Sequence, residues 1–162
     1  MPIEYKIPSS ATIGHVHLKV SDLQRSLDFY CGLLGFGLIT TYGTDAAFIS
    51  AGGYHHHIGL NVWYSKDQPP ASKHSPGLFH TAIRYASRKD LAVIYKRLND
   101  KHFPFTGFAD HGVSEALYLD DPDGNGVELY WDKPREQWPV DVNGKIEMYT
   151  RPLDLGDLLK EL

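Results

Sequence analysis

The chain has 162 residues, 42% hydrophobic and 22% charged, with a formal net charge of −4. That is enough chain for one compact domain that buries a core without staples, and the acidic balance argues against a nucleic-acid partner. No stretch approaches the roughly 18 apolar residues of a membrane span, the first residues lack a secretory apolar run, and the single Cys31 forms no internal disulfide, so a cytoplasmic protein is expected.

Residues 12–20 alternate apolar and polar side chains and predict a strand. Ser21 or Asp22 then caps a helix over 22–34, with Leu23, Leu27, Tyr30 and Leu34 on one stripe and Gly35 at its end. Three strands are expected at 36–42, 45–51 and 55–63, separated by Gly43 and by Gly52-Gly53. A polar, Pro-rich linker occupies 64–76. The same plan then returns: strand 77–85, a Ser87-capped helix over 87–101, and strands near 103–108, 113–119 and 126–131, the last entered through the tight turn Asp121-Pro122-Asp123-Gly124-Asn125-Gly126. Sliding the chain along itself superposes His15 on His80, Tyr30 on Tyr95 and Leu33 on Leu98, the mark of a duplicated supersecondary unit. The expected fold is α+β, a single domain over 1–162. Module one covers 12–63, module two 77–131 and a C-terminal arm 132–162. The paired βαβββ modules form an open cup-shaped mixed β-barrel with helices outside.

Strand parity selects the chemistry. His15, His17 and Lys19 face away from Val16, Leu18 and Val20, and must look into the cup. His80 shares a face with Ala82 and Arg84, and Glu128 shares one with Gly126 and Tyr130. Two imidazoles and one carboxylate, His15, His80 and Glu128, make a set that occupies one face of an octahedral ion and leaves positions open. It suits Fe(II) or Mn(II), and Zn(II) takes the same donors. His17, one pleat from His15, competes with it as a ligand. Trp63, Phe79, Tyr130 and Trp131 are either wall residues of an apolar pocket or plain core.

The segments GHVHLKVSDLQRSLDFYCGLLGF, GLFHTAI and DPDGNGVELYW resemble the vicinal oxygen chelate superfamily, which holds glyoxalases, bleomycin-binding proteins and extradiol dioxygenases. The resemblance spans about 12–131 and implies the glyoxalase/bleomycin resistance/dihydroxybiphenyl dioxygenase fold. Its metal ligands fall on His15, His80 and Glu128. Glyoxalase-type members carry a further carboxylate where HIGLNVW places Gly59, a departure from that branch. The better likeness is to the catechol 2,3-dioxygenase-like group. It implies metal-dependent ring cleavage of a catechol-like aromatic diol with O₂, with His56 as acid–base and His111 and Tyr118 on the substrate oxygens. Other superfamily chemistry (lyase, epimerase, thiol transferase) and a non-catalytic binding module are the alternatives. Members of this size are expected to be homodimers, with the site either inside one chain or shared between two.

Overall fold

The computed structural model describes residues 4–162. Module one contains β1 (Val16–Lys19), β2 (Gly37–Tyr42), β3 (Ala46–Ser50) and β4 (Ile58–Asn61), with helix α1 (Leu23–Leu27) between the first two. Module two repeats the order with β5 (His80–Tyr85), helix α2 (Arg88–Asp100), β6 (Gly107–Asp110), β7 (Ser114–Asp120) and β8 (Gly126–Asp132). Each module folds its strands into one four-stranded mixed sheet, β1-β4-β3-β2 and β5-β8-β7-β6, with the first pair parallel and the others antiparallel. The α+β duplication is therefore as the sequence indicates. The sheets, however, remain separate and are not joined into a barrel.

Parity holds where the argument needs it. Leu18 and Val20 are buried while His15, His17 and Lys19 are exposed, and Val127 and Leu129 are buried beside the half-buried Glu128. The Asp22 carboxylate caps α1 by accepting the Arg25 N–H at 3.0 Å, and Ser87 caps α2 through the Asp90 N–H at 3.1 Å. Beyond α1 the helix widens into a π-helical turn over Asp28–Leu33, closed by Leu34 N–H donating to the Phe29 carbonyl at 2.9 Å. The extra residue per turn rotates the stripe, so the neighbours Phe29 and Tyr30 are both buried and Cys31 lies half-buried against the core.

Several boundaries differ from the periodicity. The expected strands over 12–20 and 77–85 begin only at Val16 and His80, so His15 stands just before β1. The expected strand over 103–108 starts only at Gly107, because Pro104 has no N–H for a ladder and Phe103 and Phe105 pack against the core instead. The expected strand over 55–63 contracts to Ile58–Asn61, and His55 and His56 stand in the preceding loop.

The Asp121–Gly126 turn latches the modules together. Asp121 accepts the buried Tyr30 hydroxyl at 3.0 Å, and Asp123 accepts from the Ser21 hydroxyl and the Arg25 guanidinium, each at 2.6 Å. A single apolar cluster runs through both modules, from Leu18 and Phe29 to Leu117 and Leu129, and also takes in Leu153 and Leu158 of the arm. The arm continues past β8 to the short helix α3 (Leu155–Leu158). It meets the outer edge of β6 at its last residue, through paired main-chain bonds between Asp110 and Arg151, whereas β2 ends its sheet without a neighbour among the described residues and is exposed at every position.

Candidate metal centre

Module two assembles a polar cluster on the exposed side of its sheet. Glu128 on β8 stands directly opposite Tyr118 on β7. The Tyr118 hydroxyl donates to Glu128 Oε1 at 3.0 Å and lies 2.7 Å from His111 Nε2, just past the end of β6. On the other side, Glu128 Oε2 is 2.9 Å from His80 Nε2 at the start of β5. His80 sits in register with Gly126, where any side chain would collide with the Phe79 carbonyl oxygen and His80 Cβ. The glycine of the turn thus allows β8 to close on His80. Burial, then the charge of Glu128 and the hydrogen bond to it, hold the Tyr118 phenol well above its ordinary value, so it is a proton donor at neutral pH.

His80 and Glu128 meet at a distance that suits a direct hydrogen bond and equally two ligands of one divalent cation. Two donor atoms at about 2.1 Å from one ion and at right angles are about 3 Å apart, and the observed separation is 2.9 Å. His80 Nδ1 is buried without a hydrogen-bond partner, so Nε2 is the ring's engaged nitrogen. No group of three or more His, Cys, Asp or Glu side chains among the described residues is placed to hold a metal ion. The convergence of His15 with His80 and Glu128 inside one chain is therefore not formed. Periodicity fixes which way each ligand points on its own sheet, not how the two sheets lie against each other.

His15 instead belongs to an imidazole cluster on module one. Its ring lies 4.3 Å from that of His56 and 6.3 Å from that of His55, centroid to centroid, and His55 Nδ1 is 2.7 Å from His56 Nδ1. Desolvation first, then His15 and the other neighbouring imidazoles, push the His56 pKa below its ordinary value, so His56 is neutral near pH 7. His57 has a structural part: Nδ1 is 2.9 Å from the Ser50 hydroxyl, and its main chain ties β3 to β1. His17 packs between Phe48 and Trp63, with ring centroids 5.8 and 5.7 Å away, and covers Gly59. A Cβ at Gly59 would lie 2.9 Å from His17 Cγ, so the position of the glyoxalase-type carboxylate is filled by an imidazole. The aromatic wall is not gathered: Phe79 and Trp63 are exposed, while Trp131 packs at the core edge.

Sequence reasoning missed the main-chain partners of the cluster. His111 Nδ1 is 2.9 Å from the Tyr149 carbonyl oxygen and 3.3 Å from the Thr150 hydroxyl, both in the arm. A backbone carbonyl leaves no trace in residue type, and no pattern in 132–162 marks it.

The candidate residues thus fall in two clusters, His15 with His56 on module one and His80, Glu128, Tyr118 and His111 on module two. No helix among the described residues is long and apolar enough to cross a membrane. The family model for the Glyoxalase/Bleomycin resistance protein/Dioxygenase superfamily matches residues 12–129. The chain is 38% identical to a catechol-2,3-dioxygenase of Bacillus subtilis over 92% of its own length and 51% of the relative's. It is 32% identical to a biphenyl-2,3-diol 1,2-dioxygenase of Rhodococcus globerulus over 74% and 62%, and 26% identical to a lactoylglutathione lyase of Escherichia coli over 74% and 91%. It therefore spans about half to under two thirds of the dioxygenase relatives. A glyoxalase/dioxygenase structure from Nostoc punctiforme superposes with a TM-score of 0.64 at 18% identity, over 82% of this chain and 99% of that one, and shows the same fold. The repeated βαβββ plan and the residues matched place the chain in the glyoxalase/bleomycin resistance protein/dioxygenase superfamily.

Proposed function

We propose that the protein is a metal-dependent, extradiol-type ring-cleaving dioxygenase that acts on a catechol-like aromatic diol with O₂. The observation that carries this reading is the Tyr118 bridge: one phenol joins His111 to Glu128, and Glu128 in turn meets His80 at a separation suited to two ligands of one ion. Identity with a catechol-2,3-dioxygenase along most of the chain supports the substrate class. His15, His80 and Glu128 would hold the metal, Fe(II) by preference with Mn(II) or Zn(II) as substitutes, and when bound it acidifies a coordinated diol and offers O₂ an open position.

The chain's own groups have distinct tasks. Tyr118 and His111 present a hydroxyl and an imidazole that hydrogen-bond the substrate oxygens. His56, neutral beside His15, moves the proton as acid and base. Since His15 does not complete a three-ligand group with His80 and Glu128 among the described residues of one chain, we place the complete site between two copies, each giving one half. This makes the working unit a homodimer.

The test is anaerobic Fe(II) loading followed by a catechol panel, read by O₂ uptake and by the yellow ring-opened product. Loaded protein that consumes no O₂ with any catechol would remove the dioxygenase reading. The lactoylglutathione lyase relative keeps lyase chemistry as the second reading. Against it, Gly59 supplies no carboxylate and His17 fills the space. Activity with redox-silent Zn(II) or Ni(II) and none with Fe(II) would reverse that preference.

A further inference from the structure

The C-terminal arm lies beyond the residues matched by the family model, yet it touches the candidate site. Resting on the reading of His111 and Tyr118 as site residues, we propose that the arm is a positioning element. The Tyr149 main-chain carbonyl holds His111 as its Nδ1–H tautomer, so that Nε2 offers a lone pair to the Tyr118 hydroxyl.

A carbonyl oxygen has no proton to give, so the ring nitrogen 2.9 Å from it donates there, with the Thr150 hydroxyl a more distant contact of the same nitrogen at 3.3 Å. In the neutral imidazole this leaves Nε2 bare. That bare nitrogen is 2.7 Å from the Tyr118 oxygen, while Glu128 Oε1 is 3.0 Å away on the other side. Tyr118 has one proton and two acceptors. It is a two-position donor that can turn toward the carboxylate or toward His111. With the opposite tautomer, Nε2–H would point at the phenol oxygen, Tyr118 could donate only to Glu128, and the second position would be lost.

The carbonyl is held rigidly enough to impose this choice. Arg151 N–H donates to the Asp110 carbonyl at 2.9 Å and Asp110 N–H to the Arg151 carbonyl at 2.8 Å, while Tyr149 N–H donates to the His111 carbonyl at 3.3 Å. The Arg151 guanidinium lies 4.1 Å over the Tyr149 ring. Further along, Leu153 and Leu158 are buried, and the Arg88 guanidinium grips Glu115, Asp157 and Glu161 at 2.7, 2.9 and 3.1 Å. Packing of this kind is what fixes a group beside a site within a useful tolerance.

The test reads the imidazole nitrogens of His111 by ¹⁵N-resolved NMR at mildly alkaline pH. Wild type should show protonated Nδ1 and bare Nε2, and an Nε2–H tautomer there overturns the proposal without any variant. R151P removes the N–H that Asp110 accepts, and it should give mixed tautomers. With Fe(II) and a catechol its kcat should fall on the order of 10²-fold, as expected for a misplaced site group, with KM less affected. R151A keeps the N–H and should keep the wild-type tautomer. A wild-type tautomer in folded R151P would refute the clamp. A tautomer shift in R151P, where Fe(II)-loaded wild type also cleaves no catechol, would sustain the clamp while removing the dioxygenase reading.

Discussion

A site divided between two chains makes a prediction that a site within one chain does not. H15A removes the module-one ligand and E128A the module-two ligand, and each homodimer should fail to retain metal. Co-expressed with different tags and purified as a mixed pair, the two chains restore one site. The H15A chain lends His80 and Glu128, and the E128A chain lends His15. The second site of the pair lacks both residues. By the two-fold symmetry of such a dimer, about half of the wild-type metal and turnover should return. The ring of His56 lies 4.3 Å from that of His15, so H56A must complement E128A in the same sense. The assays are metal per chain after gel filtration and O₂ uptake with catechol. A mixed pair with no more metal than its parents would refute the division, because defects in a self-contained site cannot compensate one another.

Other perturbations test single links. E128A should abolish metal retention with far-ultraviolet circular dichroism unchanged, since the Glu128 side chain lies on the polar face of β8 and, among the described residues, contacts the polar groups of His80 and Tyr118. G59A should cost about 1 kcal/mol by urea denaturation through contact with the His17 ring, and nearly nothing in an H17A background. Y30F removes the hydroxyl from buried Asp121 and should destabilise the latch by about 1 kcal/mol; an unchanged denaturation midpoint would show that the latch contributes nothing. Burial opposes ionisation of Asp110, but Lys133, at 2.7 Å, the Gly112 N–H and Arg151 outweigh it and hold the carboxyl below its ordinary value. A depressed folded value means this stabilisation is complete above the unfolded pKa of about 3.9 and is lost as pH falls through the folded one. D110N should lessen the acid sensitivity of melting below about pH 4; equal sensitivity in both proteins would place its source elsewhere.

Much of this architecture could be read from residue order because local chemistry decides it. The alternation of Val16, Leu18 and Val20 with His15, His17 and Lys19 determines a face whatever surrounds the strand. Asp22 and Ser87 each start a helix by a bond to a near neighbour. The failures have both local and long-range sources. His55–His57 alternate well enough with their neighbours to look like strand, yet His57 is the one that ties into the sheet, and Gly52-Gly53 leave the others in a loop. Residues 103–108 carry apolar weight, but Pro104 delays pairing and the aromatics go to the core. The relation of His15 to Glu128 depends on how two sheets lie, which no periodicity within either sheet encodes. Of the site, the module-two cluster was legible as residue types; the Tyr149 carbonyl that completes it was not.

The two outer rims of the molecule are unequal. The arm pairs with the rim at β6 only at Asp110, while the rim at β2 keeps its main-chain groups facing solvent, with Leu38, Ile39 and Tyr42 beside them. An uncovered edge of that kind is where a further strand can add through main-chain hydrogen bonds.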